Sequence, residues 1–193
     1  MNFRMFTAVT TVAVSMMCVA ASAQTSTWAI DPVHSSAQFE IRHMAVSNVH
    51  GSITGIKGTI KLDEKDITKS SVEVTLDTTT VDTANAMRDK DLKSDAFFNV
   101  EKNPTMTFKS TAITRVKGKL KMTGDLTLNG VTKPVTLDLE GPSTPVAARG
   151  KTISGFSASG VLKRSEFSFG TKDLPPMLGD EVKLVIDLEI DKQ

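Results

Sequence analysis

The stretch from Leu120 to Leu139 constrains the fold more than any other part of the chain. Leu120, Met122, Leu126 and Leu128 alternate with polar residues, the period of a strand with one buried face. Asn129-Gly130 follows, two residues that tolerate the positive φ a tight type I′ turn requires. The alternation then resumes through Val135, Leu137 and Leu139. The pattern predicts a long antiparallel hairpin with one apolar wall.

Much of the chain repeats that pattern. Trp28 to Ile30 reads as a short extended start, broken by Asp31-Pro32. Ser35 to His43 is a first strand with Ala37, Phe39, Ile41 and His43 on one face, followed by a short loop over Ala45 to Asn48. Gly51 to Leu62 is a second strand, but its apolar parity shifts between Ile53 and Ile56. An extra residue near Gly55 explains the shift, glycine being the usual device for a bulge. Ser70 to Thr78 is a third strand. A short helix is predicted over residues 84–94, capped by Thr83, and Phe97-Phe98 is expected to plug the same end of the sheet. Met106, Phe108, Ser110 and Ala112 form the inward row of a fourth strand, and the hairpin supplies the fifth and sixth. Gly141 to Gly150 is a loop. Thr152 to Leu162 is the seventh strand and Val182 to Ile190 the eighth, with the irregular segment Lys163 to Pro176 between them. Pro134 lies in the sixth strand, where it cannot donate to a ladder, and marks a bulge or an edge.

Eight strands joined mostly by short turns predict an all-β chain, a single eight-stranded antiparallel lipocalin-like barrel with one short helix near one end. Such a barrel is either filled by its own side chains or holds one slender ligand. Small residues on the inward rows (Ala37, Ser110, Ala112, Gly124, Ala158 and Gly160) favour a hollow interior, while large residues from facing strands offer a solid-cored alternative.

The first 23 residues read as a cleavable signal peptide. Arg4 precedes an apolar run over residues 5–20, and Ala21-Ser22-Ala23 is an A-x-A cleavage site, leaving residues 24–193 as one barrel domain. A periplasmic location is expected. Without Arg4, the 23 Lys and Arg fall to 22 and balance 22 Asp and Glu, giving no electrostatic case for nucleic acid. The single cysteine, Cys18, lies in the signal segment, so the mature domain is expected to hold together without disulfides or cysteine-based metal and redox sites.

Few constellations suggest chemistry. With the turn centred between Val46 and Ser47, His43 and His50 face each other across the first hairpin, where two imidazoles can share a metal ion. The plainer reading has His43 hydrogen-bonded at the barrel rim and His50 solvated. No cysteine or clearly placed carboxylate supplies a third ligand, and no metal or cofactor is expected. Gly155-Phe-Ser-Ala-Ser159 has Ser where a nucleophile elbow needs its second Gly and sits inside a strand. Arg88-Asp89 opens the helix either as a surface ion pair or a strap onto the barrel, or as a contact for a polar ligand head.

Several motifs together resemble the YceI family of exported, lipocalin-like polyisoprenoid-binding proteins. They are Trp28-x-Ile-Asp-x-x-His34-Ser35, Val81-Asp-Thr83 with Arg88-Asp-x-x-Leu92, Pro104-x-x-x-Phe108-x-Ser110, the long run Thr123 to Val135, and Arg164-x-x-Phe167. The resemblance spans Trp28 to about Ile190. It implies an apolar channel without catalytic residues, holding a long isoprenoid or quinone-like lipid, with transient contact with a membrane or membrane protein for delivery. The ligand-lining residues expected are Phe39, Ile41 and His43 on the first strand, Met106 and Phe108 on the fourth, and Met122, Gly124 and Leu126 on the fifth. Phe156, Ala158 and Leu162 on the seventh strand, with Arg88, Arg164 and Phe167 near the open end, complete the set. An enzyme acting on such a lipid through His43, and a solid-cored interaction module, are the competing readings.

Overall fold

The computed structural model describes residues 24–193, and the signal peptide expected over residues 1–23 lies outside the described residues. The chain forms β1 (Thr25–Ile30), β2 (Ser36–His43), β3 (Ser47–Ile53), β4 (Lys57–Asp63), β5 (Ser71–Asp77), α1 (Ala86–Lys93) and β6 (Thr105–Val116). These are followed by β7 (Lys119–Leu128), β8 (Val131–Glu140), β9 (Val146–Ala148), β10 (Lys151–Lys163) and β11 (Leu178–Lys192). All pairings are antiparallel.

The eleven segments make eight barrel walls. β11 pairs with β2 through residues 178–187 and with β1 through 190–192, so β1 and β2 are two halves of one wall. β3 pairs with β2 and β4 with β1, so they form the next wall in the same way. From there the ring runs β5, β6, β7, β8, β10 and back to β11. The expected closed eight-stranded barrel is the observed fold, with β9 a short addition on β10 inside the expected loop.

Each break has a local cause. Between β1 and β2, the Asp31 carboxylate accepts from the Val33 amide at 2.7 Å and holds His34 Nδ1 at 3.0 Å. The Asp31 amide meanwhile donates to the Glu189 carbonyl at 2.9 Å. Between β3 and β4, Gly55 has φ 67°, and the Thr54 amide donates to the Thr80 hydroxyl at 3.0 Å. This interruption is the expected parity change, and it places Ile53 and Ile56 both in the core. The Asn129-Gly130 turn has positive φ at both positions, as its sequence requires.

Two expectations are corrected. Asn85, not Thr83, caps α1, its side chain accepting from the Arg88 amide at 3.1 Å. β6 also carries a register shift between Ser110 and Ala112, which reverses the parity beyond it: Ala112 faces solvent and Ile113 is buried. Pro134 stands opposite Asp125 in the β7–β8 ladder, on the part of β8 that β10, paired only at 138–140, leaves free. Its missing donor therefore interrupts no ladder.

At one barrel end the buried Trp28, Leu62 and Leu120 line a common cleft with the charged Asp63, Glu64, Lys65, Arg115 and Lys192 at its sides, and Trp28 Nε1 donates to Ser26 Oγ at 2.8 Å. At the other end lie the β2–β3 turn, α1 with Phe97 and Phe98, and the β10–β11 loop. Phe169 packs edge-on against both phenylalanines, with centroids 5.4 and 4.7 Å apart.

Candidate functional site

The barrel interior is hollow in two adjoining chambers. The deep one has a volume of about 120 Å³. Its walls come from Ala37 on β2, inward positions of β4 to β8, β10 and β11, and Ile56, Ile67 and Ser70 beside them, and among the described residues Ser70 is the only polar one. The Ser70 hydroxyl is already occupied, accepting from the Asp63 amide at 3.0 Å. Nothing in this chamber competes with water for a polar ligand group, so its chemistry favours hydrocarbon.

The outer chamber, about 390 Å³, shares Met106, Leu162 and Leu184 with the deep one and extends toward α1 and the β10–β11 loop. Its walls are Phe39, Ile41, Val49, Leu92, Phe98 and Phe169 among others, but His43, Arg88, Asp91, Arg164 and Asp173 also line it. The paired chambers thus have an apolar blind end and a mixed, solvent-facing end. That polarity suits an amphiphile that enters tail first.

Twelve of the fourteen expected lining residues fall on these chambers. Phe108, Met122, Leu126, Phe156 and Ala158 line the deep one, Phe39, Ile41, His43, Arg88 and Arg164 the outer one, and Met106 and Leu162 both. Gly124 and Phe167 line neither. A Cβ on Gly124 would lie 2.5 Å from the Lys109 carbonyl oxygen and against the Phe108 ring, so the space of its missing side chain is already filled. Phe167 is fully buried in the core behind the chambers.

The two arginines are bound into the protein. Arg164 is 3% exposed, and its guanidinium donates to the carbonyls of Phe169, Gly170, Asp173, Leu178 and Gly179, fastening the β10–β11 loop to the barrel. Arg88 donates through Nε to the Thr83 hydroxyl and through Nη2 to the Thr83 carbonyl, both at 2.8 Å. Asp89 accepts from the amide and hydroxyl of the same threonine, and that hydroxyl bond holds its carboxyl below the ordinary carboxylate range. Arg88 and Asp89 therefore clasp Thr83 and strap α1 to the barrel, as one of the two sequence readings expects.

The histidines do not pair. His43 stands opposite Ser47 and His50 opposite Glu40, because the turn occupies residues 44–46, with Met44 and Ala45 at positive φ. His34 instead joins Asp31 and Glu189 on the outer surface, at 3.0 and 3.4 Å. The hydrogen bond that His34 donates to Asp31, reinforced by the charge of Glu189, raises the His34 pKa. Sequence reasoning missed Asp91 and Asp173 in the outer chamber, since neither lies on a strand whose periodicity assigns it a face. It also left Leu184 and Ile186 off the lining, although the clean alternation of the last strand points both inward.

Comparison with known proteins agrees with this architecture. A family model described as the YceI-like domain matches residues 28–190. The chain is 41% identical over 177 residues to Protein YceI of Escherichia coli O157:H7, covering 91% of this chain and 92% of that protein. Among solved structures, a YCEI protein of Campylobacter jejuni superposes with a TM-score of 0.70 at 35% identity, over 79% of this chain and 90% of the other. A polyisoprenoid binding domain from Saccharophagus degradans shares the fold at a TM-score of 0.64 and 12% identity, over 86% and 98% of the two chains.

Proposed function

The chain belongs to the YceI-like domain family, and we propose that it is a non-catalytic periplasmic protein that binds a long isoprenoid or related amphiphilic lipid, of polyprenyl or quinone type, for carriage, storage or scavenging. The observation that carries this reading is the deep chamber, whose lining is aliphatic and aromatic apart from Ser70. The tail occupies that chamber and the head remains in the outer one, near His43 and Arg88. Each five-carbon unit that moves from water into such a lining removes roughly 100 Å² of apolar surface, about 2.5 kcal/mol before the cost of ordering the tail. Met106 and Met122 line the walls with flexible side chains that can follow an irregular branched tail. The name of the Saccharophagus degradans neighbour, a polyisoprenoid binding domain, supports the same class of ligand.

The location rests on the N-terminal sequence, an apolar run ending in Ala21-Ser22-Ala23. Loading from a membrane or a membrane protein requires contact at the outer chamber. Exposed Met44, Val46, Met87, Leu174 and Met177 lie on the loops and helix beside it.

The test is mass spectrometry of an organic extract of the protein purified from its own periplasm. The expected result is an isoprenoid lipid in near-stoichiometric amount from the wild type. Ala158→Leu places three more carbon atoms in the deep chamber and should lower the bound amount at least tenfold while the barrel remains folded. An extract containing only buffer components, or equal lipid in both proteins, would overturn the reading.

A further inference from the structure

The outer chamber combines one arginine whose donors are all committed, Arg164, and one with two of five committed, Arg88, with two carboxylates that have no partner among the described residues. From this we propose that the site selects a neutral head group bearing an acceptor oxygen, a hydroxyl or carbonyl, and discriminates against phosphate and carboxylate heads, with Asp91 and Asp173 setting that preference. The inference rests on the lipid-binding reading above and narrows it to one class of head.

A guanidinium has five N–H donors. Those of Arg164 meet five backbone carbonyls, so its charge is present but it has no hydrogen left for a ligand. Arg88 commits Nε and one Nη2 hydrogen to Thr83, which leaves both Nη1 hydrogens and the second on Nη2 for a ligand in the chamber it lines. Asp91 and Asp173 line the same space, and among the described residues neither carboxylate has a hydrogen-bonding or ion-pairing partner. Two arginines and two aspartates cancel. His43 and Asp91 lie at the exposed rim, where solvent screens both, so the half-buried Asp173 is the carboxylate an entering head meets most strongly.

An anion entering from water needs charge-assisted donors and a positive potential to replace its hydration. This chamber supplies one incompletely used arginine and two repelling carboxylates. A hydroxyl or carbonyl loses far less hydration and needs only one of the bonds that Arg88 can still donate. The aspartates thus work as repulsive elements, the part of a binding site that sets specificity by penalising the wrong partner.

The probes are geranylgeraniol and geranylgeranyl phosphate, which share a tail and differ in the head. Each displaces an environment-sensitive apolar dye from delipidated mature protein, wild type and the double variant D91N/D173N. The alcohol is expected to compete at least tenfold better than the phosphate against the wild type. In the double variant the phosphate gains at least fivefold while the alcohol changes by less than twofold. Equal or better competition by the phosphate in the wild type, or an unchanged ratio in the folded double variant, overturns the head preference alone. If neither probe displaces the dye, the lipid-binding reading falls and the head preference falls with it.

Discussion

Replacing Arg164 with Met tests whether this residue is a structural fastener rather than a ligand contact. The change keeps an unbranched apolar stem and removes five charge-assisted bonds to the carbonyls of Phe169, Gly170, Asp173, Leu178 and Gly179. Bonds of this kind contribute about 1.5–3 kcal/mol each where the acceptor stays buried. The loop carbonyls lie near solvent and can be partly rehydrated, so the full sum is not lost, and the expected cost is about 3–5 kcal/mol. With an unfolding entropy of about 2.1 cal/mol/K per residue, the 170 residues of the described domain turn about 4 kcal/mol into a fall of roughly 11 °C in Tm. Thermal denaturation followed by circular dichroism measures it, and limited proteolysis should show new cleavage between Gly170 and Met177, where the loop is released. Arg164→Lys, with three donors in place of five, should recover part of the loss. A Tm within 2 °C of wild type for Arg164→Met would refute the reasoning, and the guanidinium would then have to be valued for ligand contact after all.

Two further outcomes follow from the geometry. Gly124→Ala should destabilise the barrel by about 1–3 kcal/mol, or roughly 3–8 °C in Tm, because the new methyl meets the Lys109 carbonyl at 2.5 Å beside the β6 bulge; an unchanged Tm would show that β6 and β7 can separate without cost. His34→Gln should narrow the pH range of stability from the acid side. The folded protein raises the pKa of His34, chiefly through the Asp31 hydrogen bond, so this stabilisation is complete below the ordinary value of 6.5 and is lost as pH rises through the raised one. The Tm gap between wild type and variant should therefore be larger at about pH 5.5 than at about pH 8.5, and a gap that is constant or grows with pH would contradict the assignment.

Strand alternation made most of the barrel legible before any coordinates. The inward rows of the first, fourth, fifth and seventh strands carry ten of the expected lining residues onto the chambers, because period-2 side chains leave a paired strand no choice of face. The same rule misled at Ala112, where one extra residue in β6 turns the row inside out with no glycine to announce it. It misled again over how the hollow arises. Gly124 and Gly160 were expected to open space, but a Cβ at Gly160 would sit 2.7 Å from Leu137 Cδ2, and the Phe108 ring fills the space beside Gly124. Ser110 is occupied by the Val72 amide at 2.8 Å. Only Ala37 and Ala158 among the six small positions line the cavity.

Local pattern along the chain is enough for the antiparallel strands, the Asn129-Gly130 turn, the interruption near Gly55 and the apolar character of the interior. Each of these follows from residues adjacent in the chain or two apart, where backbone geometry and local sterics decide the outcome. The hollow interior, the consumption of Arg164 by a loop up to fifteen residues away, and the chamber that Asp91 and Asp173 share with Arg88 arise only in the folded barrel. Those facts depend on how volumes and charges from distant strands meet across the barrel, and no local pattern encodes that meeting.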